Sequence, residues 1–288
     1  MLAAPCVQAE TRFVETSAAG ATLHIRFVEP LGQPRAEAIS AWLEATAHSV
    51  ANVYGRFPLD QLSVEVIAQR RSSRGDDSPV PFGRVTRSGG ETVELFIDPD
   101  RPMADFYADW TATHEFSHLL LPRISWKQRW ISEGFASYYQ NVLMARSGWY
   151  TTDTAIRKLT EGFDRGRRSR PELSPNEAAE EGIRRARYKI YWSGAAIALL
   201  ADVTLRERSG GEESLDVILG RFQRCCLPSR RSWSGEELFD KFDSLASTPV
   251  FMPLYRHYAN RPGFPDVDDV LAKRLLRDDI FAVRNSTD

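Results

Sequence analysis

The sequence predicts an α+β fold. Runs that alternate apolar and polar residues, the pattern of strands, are confined to roughly the first 120 residues. Beyond Pro122 the apolar periodicity is helical throughout. The chain has 288 residues, 42% hydrophobic and 26% charged, an ordinary globular composition sufficient for one large domain or two lobes. Strands first and helices after is a segregated arrangement, unlike alternating βαβ units. It divides into a flexible N-terminus over 1–20, an α/β lobe with a mixed sheet over 21–122, and a helical lobe over 123–288.

"TLHIRFV" (Thr22 to Val28) alternates strictly and reads as a strand. In "AEAISAWLEATAHSVANVYG", Ile39, Trp42, Leu43, Ala47, Val50 and Val53 share one helical face, with Thr46 the one polar intruder and Gly55 the stop. "LSVEVIAQ" is a second strand and "RRSSRGDDSP" a polar surface loop. "VPFGRVT" and "TVELFID" flank "RSGGE" and read as a hairpin through a glycine turn. After "DPDRP" a helix is expected from about Met103 to Leu121, stopped by Pro122. "WISEGFASYYQNVLMARSG", "YWSGAAIALLADVTLRERSGG", "LDVILGRF", "SGEELFDKFDSLAS" with Ser234 as N-cap, and "VDDVLAKRLLRDD" read as later helices. The charged blocks "RGRRSR", "EAAEE" and "RRAR" read as solvated loop and helix faces between them.

A formal net charge of −2 gives no basic footprint for nucleic acid. No apolar run approaches the ~20 residues that span a bilayer. Three cysteines make no disulfide framework and no zinc knuckle; Cys225 and Cys226, as immediate neighbours, are poor partners and are expected as buried or free thiols. "VQA" before Glu10 has the small-residue pattern of a signal-peptidase site. A clipped signal peptide there would make the protein exported, periplasmic or secreted. A disordered alanine-rich tail would leave it a soluble cytoplasmic protein.

The chemistry concentrates in "THEFSHLLLPRISWKQRWISEGFASYY" (Thr113 to Tyr139). On a helix, His114 and His118 lie one turn apart on the same side, so two imidazoles can close on one metal ion. Glu115 lies about 100° round the axis, where a carboxylate can take a proton from water held at the metal. Ala112, Phe116, Leu119, Leu120 and Leu121 surround the polar triplet, and burying it without partners would be costly. A catalytic zinc needs a third protein ligand and an open fourth position. Glu133 answers the first need: it follows after a short connection, near the start of its own helix, and Gly134 lets that helix approach closely. His24 and His48 read as structural or surface residues. His257, in "YRHYANRPGF", is the one other histidine that could face a cleft.

"HEFSH", "WISEGFASYYQNVLMARSG" and "YKIYWSGAAIALLADVTLRERSGGEESLDVILGRF" together resemble the glycyl aminopeptidase family of gluzincin metallopeptidases, over roughly Asp105 to Phe222. The resemblance implies a thermolysin-like zincin with its active site in a cleft between an α/β lobe and a helical lobe. It implies Zn2+ held by His114, His118 and Glu133, with Glu115 as general base. Tyr191, three residues before Gly194, matches the tyrosine that donates a hydrogen bond to the tetrahedral intermediate; Tyr188 competes for that role. The chain departs from the family in its shorter spacing between His118 and Glu133. It also lacks a clear glycine-rich, glutamate-containing motif for a free amino terminus, and has no room for the family's large β domain and PDZ module.

The expected function is therefore zinc-dependent hydrolysis of peptide bonds, as an aminopeptidase-like enzyme or a small endopeptidase. The peptide or protein substrate would lie antiparallel along an edge strand near Pro81 to Val85. The alternative is a peptide-binding scaffold that keeps the fold without turnover, against which stands the full set of ligands and base. A buried carboxylate at the end of the edge strand would favour the aminopeptidase. A cleft open at both ends would favour the endopeptidase.

Overall fold

A computed structural model of the chain describes residues 12–69, 78–273 and 276–282. The alanine-rich start with its "VQA" and most of the polar loop "RRSSRGDDSP" lie outside the described residues. The fold is α+β, with a five-stranded mixed sheet in the order β1-β2-β3-β5-β4. Strand β1 (Arg12–Ala18) pairs antiparallel with β2 (Ala21–Phe27), β2 and β5 (Thr92–Ile97) run parallel to β3 (Gln61–Ala68), and β4 (Phe82–Thr86) pairs antiparallel with β5 at the sheet edge. Strand β1 occupies Arg12–Ala18 of the segment 1–20 expected to be flexible, while residues 1–11 lie outside the described residues. Its RFVETSA run carries only Phe13, Val14 and Ala18 as apolar residues, and Phe13 is largely exposed.

One sheet face is apolar: Leu23, Ile25 and Phe27 of β2, Leu62, Val64 and Val66 of β3, and Val93, Leu95 and Ile97 of β5 are buried. The other face carries groups such as the Arg26–Glu65 ion pair, the inside–outside alternation that a half-covered sheet requires. Helix α1 (Gln33–Ala51) connects β2 to the parallel β3 and buries the six residues assigned to its apolar face, with the exception that Val53 follows the helix end. The intruder Thr46 is satisfied in place, its hydroxyl donating to the Trp42 carbonyl at 2.9 Å.

The expected single helix from Met103 to Leu121 is interrupted. Helix α2 (Met103–Ala108) ends where Asp109 turns extended, and α3 (Thr111–Ser117) begins after it, running into a 3₁₀ turn over His118–Leu120. The reason is local: Asp109 accepts from the Thr111 backbone N–H at 2.7 Å, an Asx-type start that competes with a continuous helix.

The rest is helical: α4 (Arg129–Arg146), α5 (Thr152–Arg168), α6 (Pro175–Glu181), α7 (Ile183–Ser209), α8 (Leu215–Cys226), α9 (Gly235–Leu245), α10 (Phe251–Tyr258) and the short α11 (Asp268–Leu271). "RGRRSR" begins inside α5 and "EAAEE" lies on α6, so the blocks read as solvated loop and helix faces are largely helix faces. Ser234 caps α9 as expected, in a reciprocal pair with Glu237. The expected last helix is cut to four residues plus a π turn over Leu276–Ile280. Cys225 and Cys226, at the end of α8, are joined in a disulfide, which corrects the expectation of buried or free thiols; their Cα atoms lie 3.7 Å apart.

Helices α4 and α7 cross at glycines. A Cβ on Gly134 would overlap the Gly194 backbone, and one on Gly194 would overlap the Trp130 carbonyl oxygen. Neither obstacle is a movable side chain, so the helices would have to part. Gly194→Ala is expected to cost about 3 kcal/mol or more and to lower Tm by at least about 5 °C, read by thermal denaturation.

Candidate metal centre

The metal-bearing helix is anchored at both ends. At its start, Ser78 donates to Asp109 at 2.7 Å and Thr111 to the Val80 carbonyl at 3.2 Å, tying α3 to the segment that leads into β4. At its end, the Arg87 guanidinium donates to the Leu121 carbonyl at 3.2 Å and to the His118 carbonyl at 2.8 Å, which also accepts the Leu121 backbone N–H at 3.3 Å. Arg87 is itself paired with Glu91 at 3.1 Å.

Between these anchors the histidines converge on Glu133 of α4. His114 Nε2 and His118 Nε2 lie 3.5 and 3.6 Å from the same Glu133 oxygen, Oε2. The three ligand atoms all fall within 4.8 Å of one another. The trimmed connection between His118 and Glu133 therefore still closes the triad. It does so through a 3₁₀ turn at Trp126–Gln128 and a bridge from Ile124 to Trp233.

The second nitrogens fix the ring orientations. His114 Nδ1 meets Gln140 Oε1 at 2.7 Å and His118 Nδ1 meets Ser132 Oγ at 3.0 Å. A proton on Nδ1 leaves each Nε2 lone pair aimed at the common point, with Gln140 and Ser132 holding the rings in that orientation. Gln140 is seven residues after Glu133, two turns along the same face of α4, a spacing visible in the sequence. Gln140→Leu is expected to weaken zinc binding about 10- to 100-fold, measured by competition with a chromophoric chelator.

The residues fit a zinc ion. Glu133 Oε2 is buried and has no hydrogen-bond partner, an orphaned acceptor that a cation would satisfy. Two imidazole nitrogens and one carboxylate oxygen are the donor set of a catalytic zinc, with a fourth position left for water or substrate. Burial alone would push the Glu133 carboxyl up, but His114 and His118 outweigh it and hold it down at about 2. Burial pushes His118 down to about 3, which keeps it neutral and able to ligate. Burial also lowers His114, but the neighbouring Glu133 and Glu115 carboxylates turn the net shift upward.

Glu115 is buried beside the triad, and burial lifts its carboxyl to about 7 against the opposing pull of His114. Its place depends on β4: a Cβ on Gly83 would come within 2.6 Å of Glu115 Cγ, so the strand approaches this closely only with glycine there. Tyr191 of α7 stacks on His114, with ring centroids 5.7 Å apart and planes 6° from parallel. Burial, then the Glu133 carboxylate, raises its phenol well above the ordinary range, so it stays a hydrogen-bond donor. Tyr188 is 49% exposed and does not line the cavity that contains Glu115, His118 and Glu133.

That cavity, about 670 Å³, runs between β4 and the helices and is lined also by Phe82, Arg84, Trp126 and Arg129. A second, about 350 Å³, lies on the other side of Tyr191. His257 lines neither; it is exposed, beside Arg261 at 3.1 Å. His24 sits half-exposed 3.5 Å from Glu15 on the sheet, and His48 is exposed on α1.

One helix carries two histidines and a second supplies a glutamate, a group that could hold a metal ion, on a fold similar to that of solved zinc metallopeptidases. Residues 123–196 match the family model of the M61 glycyl aminopeptidases. That span contains Glu133 and Tyr191 and is narrower than the Asp105–Phe222 stretch over which the sequence resembles the family. No curated protein matches the chain significantly. In fold it is similar to an aminopeptidase N family protein from Idiomarina loihiensis, with TM-score 0.57 and 14% identity over 96% of this chain and 47% of that one. It is also similar to an M1 zinc metallopeptidase from Deinococcus radiodurans, with TM-score 0.55 and 18% identity over 89% and 52% of the two chains. Native yeast LTA4 hydrolase gives TM-score 0.58 and 12% identity over 88% and 40%. The chain thus spans about half the length of these structures or less.

Proposed function

We propose that the protein is a zinc-dependent peptidase that cuts within peptide chains. The observation that carries the reading is the convergence of two imidazole nitrogens and an orphaned carboxylate oxygen in a cleft bordered by an edge strand. Zinc held by His114, His118 and Glu133 would supply Lewis acidity toward a water and the scissile carbonyl. Glu115 accepts the proton of the attacking water and passes it to the leaving amine. Tyr191, kept protonated by burial and by Glu133, donates a hydrogen bond to the developing oxyanion. Strand β4 ends the sheet, so its outer backbone groups are available for the substrate to add as an antiparallel strand.

An internal cut is favoured by what lines the two cavities. Among the described residues, their only carboxylates are Glu115 and Glu133. Both belong to the machinery, and none is left to hold a free α-ammonium group. Mass spectrometry of a mixed peptide library with zinc-loaded protein tests the proposal: internal cuts by the wild type, absent with Glu115→Gln, are expected. Removal of single N-terminal residues would mean an aminopeptidase. No cleavage with zinc bound would mean a binding scaffold. Tyr191→Phe is expected to lower kcat by about 100-fold with KM little changed, measured by steady-state hydrolysis.

A further inference from the structure

The walls of both cavities are cationic, and much of that charge is not neutralised. In the first, Arg84 is paired with Glu94 at 2.5 Å and Arg87 with Glu91 at 3.1 Å, but Arg123 and Arg129 make no ion pair within 4.0 Å among the described residues. Arg129 Nε is moreover buried without a hydrogen-bond partner. In the second, Lys158, Arg165 and Arg187 likewise lack an acidic partner among the described residues. They lie instead against aromatic faces: Lys158 is 5.0 Å from the Tyr150 ring, Arg165 5.3 Å from Trp192 and Arg187 5.6 Å from Tyr191. A ring face orients a cation without cancelling its charge. The whole chain carries −2, so this excess of positive charge is a local property of the cleft.

We propose that the cleft selects acidic peptides, with carboxylate side chains on either side of the scissile bond seated against Arg123 and Arg129 in one cavity and Lys158, Arg165 and Arg187 in the other. This rests on the reading of the site as a peptidase. Tyr191 lines both cavities, so a chain crossing the metal centre passes from one cationic wall to the other. A single terminal carboxylate could engage only one of them. Cations on both sides also disfavour a free amino terminus lodged near the metal, which agrees with internal cleavage.

The test uses two quenched fluorescent peptides of equal length, one with Asp and Glu flanking the cleavage point and one with Asn and Gln, each with free and amidated C-termini. The acidic peptide is expected to be cleaved with kcat/KM about 10-fold higher or more. Arg129→Ala and Arg165→Ala are each expected to reduce that acidic-to-neutral ratio about 5-fold, and raising the salt to 0.5 M to compress it. Fluorescence anisotropy of the labelled acidic peptide on zinc-loaded Glu115→Gln protein reads binding without turnover and should show the same order. Equal cleavage and equal binding of acidic and neutral peptides would overturn the selectivity while leaving the peptidase intact. A preference that vanishes on amidation would assign the charge recognition to the C-terminus and overturn the side-chain assignment. Selective binding of the acidic peptide without cleavage by the wild type would support the ligand class and overturn the peptidase.

Discussion

Glu115→Gln is expected to lower kcat about 10³- to 10⁴-fold while zinc stays bound at one equivalent per chain. The amide is nearly isosteric with the carboxylate, so it fits under Gly83 where the side chain is confined. It cannot take up a proton from water, and no other carboxylate lining the two cavities is free to replace it, since Glu133 is committed to the triad. Turnover of a quenched peptide together with metal analysis by mass spectrometry separates the outcomes. Full activity in the variant would remove Glu115 from the mechanism; loss of zinc would make it a structural residue of the site.

Removing zinc is expected to abolish turnover and also to destabilise the fold. A ligand that binds only the native state stabilises it by about 4 kcal/mol when present at about 1,000 times its Kd. For a chain of this size that corresponds to a drop in Tm of about 10 °C on chelation, read by calorimetry with and without a chelator. Restoring zinc should restore both Tm and activity. An unchanged Tm would mean that the three ligands are held in place without the ion. That would be surprising for a buried carboxylate oxygen that accepts no hydrogen bond and faces two imidazole nitrogens.

How much of the fold and site is legible in the sequence follows from how local each signal is. His114, Glu115 and His118 are spaced by helix geometry alone, and Gly134 beside Glu133 announces a close approach, so the metal centre was legible within 27 residues of sequence. Gln140 lies on the same face of α4 as Glu133 two turns on, and Ser132 is the immediate neighbour of Glu133, so both are local to the motif. Gly83 is not, because its neighbour Glu115 is distant in sequence and reaches it only through the docking of α3 on β4. In the helical part, α5 was hidden by its charges although Ala155, Leu159, Gly162 and Phe163 trace a buried stripe. Helix α6 was announced by a capping box, Ser174 with Glu177, inside a stretch that looked merely polar. Strand β1 was missed because an edge strand buries little and so carries a weak alternation.

The glycine crossing of α4 and α7 has a kinematic consequence. With backbone against backbone at Gly134 and Gly194, those two helices have no slack between them and travel as one rigid body. Glu133 lies on the first and Tyr191 on the second, so the crossing fixes their separation. His114 and His118 ride on α3, which is tied through Ser78, Val80 and Arg87 to the β4 side. The His114, His118 and Glu133 group is thus drawn from two separately anchored helices, and an ion held by all three would cross-link α3 to the α4–α7 pair.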